Sequence, residues 1–204
     1  MGLLIEDRVR GRARQAAAAA KLSVHHVLAQ RARLEKPRYD IFLSQALKDE
    51  EIVLGIYTIL TEDLRLTVFC DWIDAGHSDH AGTTPSDAAY IRDKMLASTG
   101  LVFVDSEHAV GSNWMSWEIG WFHGAKGRVC VLPVVTDEAE QYRGRQYLGL
   151  YPVAEDDVEH VLRVSVPLAR VAAGYPPGTP LGLATSLPMR IWNSLETLPR
   201  YFLG

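Results

Sequence analysis

The sequence predicts an α/β fold, in which a central parallel sheet carries helices on both faces, with an N-terminal helix before it and a C-terminal extension after it. Between residues 39 and 135, short apolar runs alternate with segments whose apolar residues recur at helical spacing. Such alternation is typical of βαβ units and therefore of parallel sheets. The runs are nearly continuous in apolar residues, as expected for strands that helices cover on both faces.

The first element is an N-terminal helical extension, residues 1–36. Residues 3–34 are rich in strong helix formers and predict one helix or a broken pair, which Pro37 ends. Its arginines form a side that faces either solvent or a partner: Arg8, Arg10, Arg12 and Arg14. A helix that packs on the domain is the simplest interpretation, since nearby acids dilute the charge that an RNA- or lipid-binding arm would need.

The alternating elements follow in order. Strands are expected at 39–44, 66–72, 100–106 and 128–135. Helices are expected at 49–64, 85–99 and 113–125. The polar, glycine-containing segment 73–84 is expected to be a loop, and Pro85 marks the start of the helix that follows it.

The pattern weakens after residue 135. We expect the α/β domain to span 37–153 and the extension 154–204 to pack on it. Segments 147–153 and 160–166 have the composition of strands, and a short helix is expected near 189–198. Large apolar side chains argue that this tail packs rather than staying in solvent: Trp192, Leu195, Tyr201 and Phe202.

Composition and charge narrow the classes of function. Of the 204 residues, 48% are hydrophobic and 23% charged, which is typical of a globular protein with a real core. The net charge of -4 argues against a general nucleic-acid binder, because such binding depends on neutralising phosphates. Cys70 and Cys130 lie inside apolar runs, so we expect buried, reduced thiols and a reducing compartment.

Targeting signals are not recognisable in the sequence. The apolar run at the start is very short before charged residues begin, and Glu6 stands where N-myristoylation requires Ser or Thr. No uninterrupted apolar stretch approaches the roughly 20 residues of a membrane-spanning helix. We therefore expect a soluble, cytoplasmic protein without a membrane or nucleic-acid partner.

One acid stands out in the third helix of the alternation. In a parallel sheet, ligands bind beyond the carboxyl ends of the strands, and this helix starts there. Ser112 or Asn113 is a natural N-cap, and Trp114 and Glu118 are four residues apart and share a face. A carboxyl group beside a tryptophan and partly out of water tends to have a raised pKa, as working groups in active sites often do.

Three stretches carry a resemblance to a known family. YDIFLS (39–44), followed by an acidic helix start, resembles the first motif of Toll/interleukin-1 receptor (TIR) domains. SNWMSWE (112–118) resembles their third-helix signature, and RGRQYLGLYP (143–152) is similar to a subset of mostly stand-alone bacterial TIR proteins. The resemblance covers about residues 38–135 in element order. It implies a flavodoxin-like TIR fold and a protein of the NAD-cleaving type.

The resemblance implies an enzyme that cleaves the nicotinamide–ribose bond of NAD. Its products would be nicotinamide and ADP-ribose, or a cyclic or conjugated ADP-ribose signal, in bacterial antiphage or cell-death signalling. NAD is then a substrate, and no cofactor and no metal is implied. The implied partners are other copies of the chain, through TIR self-association, and a separate effector protein that senses the product. A non-catalytic TIR scaffold that binds other TIR domains stays the alternative.

The same resemblance implies site residues. Glu118 would be catalytic, because the departing nicotinamide is already cationic and only the oxocarbenium-like ribose needs electrostatic help. The implied substrate-binding residues lie at strand ends and at the start of the third helix: Phe42, Ser44, Trp72, Asp74, Ser112 and Trp114. Asp71 is most simply a solvated loop acid.

Other chemistries have weaker support. The HSDH stretch with His77, Asp79 and His80 has a spacing that suits a metal, but a polar loop is the simpler interpretation. A response-regulator receiver needs clustered acids after the first strand, where this chain has Ser44 and Gln45. The sequence contains neither a P-loop motif nor a GxSxG nucleophile elbow.

Overall fold

The elements lie close to where the sequence places them. The computed structural model describes residues 2–46, 48–71, 84–137, 142, 144–166, 186–196, 198 and 202. Its strands are β1 (Leu4–Ile5), β2 (Tyr39–Ser44), β3 (Val68–Cys70), β4 (Ser98–Asp105), β5 (Val129–Val135), β6 (Val153–Asp156), β7 (Leu162–Ser165) and β8 (Ser186–Pro188). Its helices are α1 (Glu6–Ala20), α2 (Val24–Ala32), α3 (Glu50–Thr58), α4 (Pro85–Ala97), α5 (Asn113–Lys126) and α6 (Met189–Ser194), with shorter helical turns at Ile59–Asp63, Glu107–Ala109 and Gln146–Leu150. Among these described helices, none has the length and apolar composition needed to cross a membrane.

The described strands form one sheet in the order β3-β2-β4-β5-β6-β7-β8, and β1 pairs with β5 off this path. All pairings from β3 through β6 are parallel, as is that of β1 with β5. β7 and β8 continue the sheet as antiparallel strands. The predicted α/β fold with a parallel central sheet is therefore confirmed, and an antiparallel edge extends it.

The strand order reverses beside β2, and this reversal positions the ligand crevice. The chain runs from β2 outward to β3 and then returns past β2 to β4. Because parallel crossovers are right-handed, α3 and α4 lie on opposite faces of the sheet, each over its own apolar layer. In open α/β sheets the crevice opens at such a reversal, here beyond the carboxyl ends of β2 and β4.

The N-terminal segment is a broken pair of helices that follows the short strand β1. α1 lies so close to α3 that a Cβ added to Gly55 would be 2.1 Å from the carbonyl oxygen of Val9. The arginines of α1 pair with acids of α3 and the turn after it: Arg10 and Arg14 with Glu51, and Arg12 with Asp63. The prediction of a helix that packs on the domain is confirmed.

Two predicted strands differ from the structure for local reasons. The strand expected at 66–72 begins only at Val68, because Arg65 has left-handed backbone (φ 57°) and turns the chain just before it, and residue 72 lies outside the described residues. The segment 147–153 is mostly a 3₁₀ turn rather than a strand, and it joins the sheet only at residue 153. There Gln146 has φ 49°, and a Cβ on Gly144 would lie 2.6 Å from Gly149, so the chain is tightly bent.

The described parts of the C-terminal extension pack against the sheet. Trp192 and Phe202 are buried in the layer that also holds α1, α2 and α3. The guanidinium of Arg128 donates to the carbonyl oxygens of Asn193 at 2.9 Å and Leu195 at 2.6 Å, which anchors α6 beside β5. Tyr201 lies outside the described residues, and the domain boundaries at 36 and 153 stay predictions.

Both cysteines are buried and free, as predicted. Burial raises the pKa of the Cys70 and Cys130 thiols, so both stay protonated near neutral pH. Because the thiolate is the reactive form, neither residue is a candidate nucleophile.

Candidate active site

Helix α5 carries a carboxyl group on its buried stripe. Met115, Glu118, Ile119 and Phe122 are its buried residues, and their spacing of three and four defines one helix face. Ser112 begins the helix as an N-cap, with its Oγ accepting a hydrogen bond from the N–H of Met115 at 3.3 Å. Since α5 starts shortly after β4, its second turn reaches the crevice, and Glu118 occupies a core position there.

Ser44, the last residue of β2, binds this carboxyl group. Its Oγ donates to Oε2 of Glu118 at 2.6 Å. Ser44 is 1% exposed and Glu118 is 3% exposed, so the hydrogen bond is shielded from water. A buried carboxyl group without such a donor would be strongly unfavourable. The strand end and the helix are thus joined by the two residues that the sequence places in the crevice.

Burial raises the pKa of Glu118 to about 8. The negative charge of Asp71 acts in the same direction, whereas the hydrogen bond from Ser44 and the Trp114 side chain favour the charged carboxylate. The expected raised pKa of this residue is therefore confirmed. At neutral pH the carboxyl group of the free protein is mostly protonated, and a positive charge beside it would favour its ionisation.

A second acid, Asp71, joins the site. The parallel register pairs Leu43 with Cys70, so the next residues along the two strands, Ser44 and Asp71, are neighbours. The side-chain amide of Gln45 donates to the main-chain oxygen of Asp71 at 3.0 Å. Asp71 is partly buried, and burial together with the charge of Asp87 raises its pKa to about 6. The interpretation of Asp71 as a solvated loop acid is wrong.

The tryptophans flank Glu118. The rings of Trp114 and Trp117 lie 4.8 Å apart at 32°, and both side chains are partly buried against the aromatic layer. Phe42, by contrast, is fully buried and stacks on Phe69 at 5.4 Å. It lies beneath the crevice without an exposed surface, and its contact with substrate stays a prediction.

The segment that resembles stand-alone TIR proteins contacts the start of α5 and the end of β4. Within it, Tyr147 donates to Oγ of Ser116 at 2.8 Å and Arg145 pairs with Asp105; Tyr142, which directly precedes the segment, donates to Oδ2 of Asp105 at 2.8 Å. A cavity of about 430 Å³ opens beside these contacts at the ends of β4 and β5. The segment therefore forms part of the rim on the β5 side of the crevice.

The structure brings together three predicted site residues, Ser44, Trp114 and Glu118, and places Ser112 at the start of the same helix. Trp72 and Asp74 lie outside the described residues, as do the histidines of the HSDH stretch. Sequence reasoning misses Asp71, although its place near the carboxyl end of a predicted strand is a usable signal. Within the described ranges, no group of three or more His, Cys, Asp or Glu side chains is arranged to hold a metal ion.

The fold and the site define an α/β protein with a buried carboxyl group at the ligand edge of a parallel sheet. No family model matches the chain. Over 115 residues the chain is 38% identical to a Bacillus cereus protein named probable 3′ cyclic ADP-D-ribose synthase ThsB′, a match that covers 56% of this chain and 59% of that protein. Over 106 residues it is 24% identical to a Cytobacillus dafuensis protein named putative cyclic ADP-D-ribose synthase TIR2, a match that covers 52% of this chain and 27% of that protein.

Among solved structures, the chain is similar to the TIR domain of the Toll-related receptor TRR-2 of Hydra magnipapillata. That likeness has a TM-score of 0.34 and 18% identity, and it covers 51% of this chain and 75% of that domain. The names of the two curated relatives agree with the resemblance to NAD-cleaving TIR proteins that the sequence motifs carry.

Proposed function

We propose that the chain is a TIR-type enzyme that cleaves the nicotinamide–ribose bond of NAD and forms a cyclic ADP-ribose product. The observation that carries this proposal is the carboxyl group of Glu118, buried at the crevice and hydrogen-bonded to Ser44. The names of the curated relatives support both the choice of NAD and the cyclic product.

The cleavage step requires one negatively charged group close to the ribose. The nicotinamide ring leaves with the electron pair of the broken C–N bond and becomes neutral, so no general acid is needed. Positive charge then develops on the ribose carbon, as in glycoside hydrolysis. The carboxylate of Glu118 stabilises that charge, and its shielding from water makes the interaction stronger than it would be in solvent. Ser44 orients the carboxylate.

The raised pKa of Glu118 links substrate charge to activity. Without substrate, the carboxyl group is mostly protonated at neutral pH because it is buried. The nicotinamide ring of NAD is cationic, and a cation within a few ångströms favours the ionised carboxylate. Binding of the substrate therefore produces the charged form that the reaction needs.

The biological setting is part of the same proposal and rests on the resemblance to bacterial TIR proteins. A cyclic ADP-ribose released by this chain would be a diffusible signal in antiphage or cell-death signalling. A separate effector protein would then recognise the product.

The alternative is a TIR-type scaffold that binds other TIR domains without turnover. The exposed fraction of Glu118, only 3%, favours it, because a substrate needs access to this carboxyl group. Under this alternative, Glu118 and Ser44 would hold α5 against β2 and nothing more.

Chromatography of NAD incubated with the purified protein at high concentration separates the two functions. The enzyme should release nicotinamide and a product whose mass equals that of ADP-ribose less one water. Unchanged NAD, from protein with a cooperative melting transition, would contradict the enzyme and favour the scaffold. Glu159→Gln, a change in an exposed turn on another part of the molecule, is the matched control for variants of Glu118.

A further inference from the structure

We propose that Asp71 is a second catalytic residue, the base that accepts the proton of the hydroxyl group attacking the ribose carbon. This inference rests on the proposed function, because it assigns a second step of the same reaction. Its basis is the arrangement of two carboxyl groups, Asp71 and Glu118, around the strand-end residue Ser44.

The sheet sets this arrangement. Asp71 follows β3 directly, and the parallel register makes it the neighbour of Ser44, which donates to Glu118 at 2.6 Å. The hydrogen bond from Gln45 to the main-chain oxygen of Asp71, at 3.0 Å, holds the strand end in place. Asp71 is partly exposed whereas Glu118 is almost fully covered, so an acceptor entering the crevice meets the Asp71 side first.

The two carboxyl groups ionise at different pH, so Asp71 is charged in the free protein, whereas Glu118 becomes charged when the cationic substrate binds. The pKa of Asp71 is raised to about 6 and that of Glu118 to about 8. Near neutral pH, Asp71 is therefore ionised and able to take a proton. Neighbouring groups whose pKa values are pushed apart by their surroundings commonly divide the roles of a reaction in this way.

The chemistry explains why a base is needed at this step. Nicotinamide leaves with the electrons of the C–N bond, and a hydroxyl oxygen then forms a bond to the ribose carbon. That hydroxyl belongs to water in hydrolysis and to the other ribose of the dinucleotide in cyclisation. In both cases the O–H bond breaks and its proton passes to Asp71, which later releases it to solvent. A pyridine nitrogen that attacks the same carbon carries no proton and needs no base.

Base exchange separates these two kinds of attack. NAD is incubated with the protein and excess isotopically labelled nicotinamide, and both labelled NAD and the hydroxyl-derived products are measured. Asp71→Asn should keep label incorporation within a few-fold of the parent and lose ADP-ribose and cyclic product by about 10²-fold or more. Asp93→Asn, an exposed acid on α4, should match the parent in both reactions.

Two outcomes would overturn the assignment. One is an Asp71→Asn protein that forms hydroxyl-derived products at the parent rate. The other is a folded Asp71→Asn protein that loses label incorporation and hydroxyl-derived products equally. If the parent protein itself neither cleaves NAD nor exchanges nicotinamide, the proposed function fails rather than this assignment alone.

A second test of the role of Asp71 uses the parent protein alone, so its result does not depend on whether a variant folds. Both reactions depend on Glu118, so its charge cancels in the ratio of hydroxyl-derived to exchanged product. That ratio should rise with pH through about 6, as Asp71 loses its proton. Among the residues that the structure describes, the titratable groups that act on Asp71 or its neighbours are Asp87 and Tyr90 of α4, Glu118 of α5 and Cys70 of β3. A ratio independent of pH would overturn the proposal.

Discussion

Glu118 lies on the apolar stripe of a helix, where a carboxyl group is unfavourable for folding. The hydrogen bond from Ser44 relieves part of this cost, yet burial still leaves the pKa raised to about 8. Residues whose placement opposes stability are concentrated at functional sites. Glu118 and its neighbours, rather than the fold as a whole, therefore point to the function.

The pH dependence of the protein's stability tests whether the carboxyl group of Glu118 is buried with a raised pKa. The folded protein keeps the proton of Glu118 until about pH 8, whereas an unfolded chain releases it near the ordinary value of 4.5. In that window the folded state binds more protons, so stability falls as pH rises. Glu118→Gln is neutral throughout, and its melting temperature relative to the parent should rise from about pH 5 to about pH 9. Glu159→Gln should follow the parent, and a difference for Glu118→Gln that does not change with pH would contradict the burial.

If the chain cleaves NAD as proposed, Ser44 should set the pH at which turnover begins. Because the charged form of Glu118 is required, kcat/KM for NAD should rise with pH and level off above about 8. Ser44→Ala removes a donor that favours the charged form, so its rise should move to higher pH. Ser194→Ala, on α6 away from the crevice, is the control. A Ser44→Ala profile that overlays the parent's would contradict this role.

At the scale of elements, the contact between α1 and α3 makes the N-terminal helices part of the fold. Gly55→Ala would place a Cβ 2.1 Å from the carbonyl oxygen of Val9, so the helices must separate. We expect the free energy of unfolding in urea to fall by about 1–3 kcal/mol or more. Gly11→Ala on α1 meets nothing within 4 Å and should instead gain about 0.5–1 kcal/mol from helix propensity. Equal stability of the two variants would show that the helices are not in close contact.

Elements with strong local signals could be predicted from the sequence. Which side chains of different elements lie next to each other could not. β2 matches its predicted bounds, and α5 extends its prediction by one residue, because an N-cap and a glycine C-cap bracket that helix. The placement of Asp71 beside Ser44 depends on the register between two strands, and spacing along the chain does not reveal register. Phe42 shows the same limit, since a continuous apolar strand does not tell which side chain lines the crevice.

At the scale of the whole molecule, we expect activity to depend on self-association, as the resemblance to TIR enzymes implies. A misplacement of the ribose by about 1 Å can lower the rate about 10²-fold, and a second subunit that completes the site would remove this loss. Turnover per chain should therefore rise with protein concentration, with oligomer size followed by light scattering. Trp72→Ala and Asp74→Ala, which change two of the implied substrate-binding residues, should make turnover per chain depend less on protein concentration. A fully active monomer, with constant turnover per chain, would contradict this dependence.

The release of nicotinamide from NAD by the parent and by Glu118→Gln tests the catalytic assignment most directly. Loss of a charge contact to a transition state lowers the rate by about 10²–10³-fold, and we expect at least this loss for Glu118→Gln. Its circular dichroism spectrum should match the parent's near neutral pH, because glutamine keeps the shape and a hydrogen-bond acceptor for Ser44. A folded Glu118→Gln protein that releases nicotinamide at close to the parent rate would contradict the account.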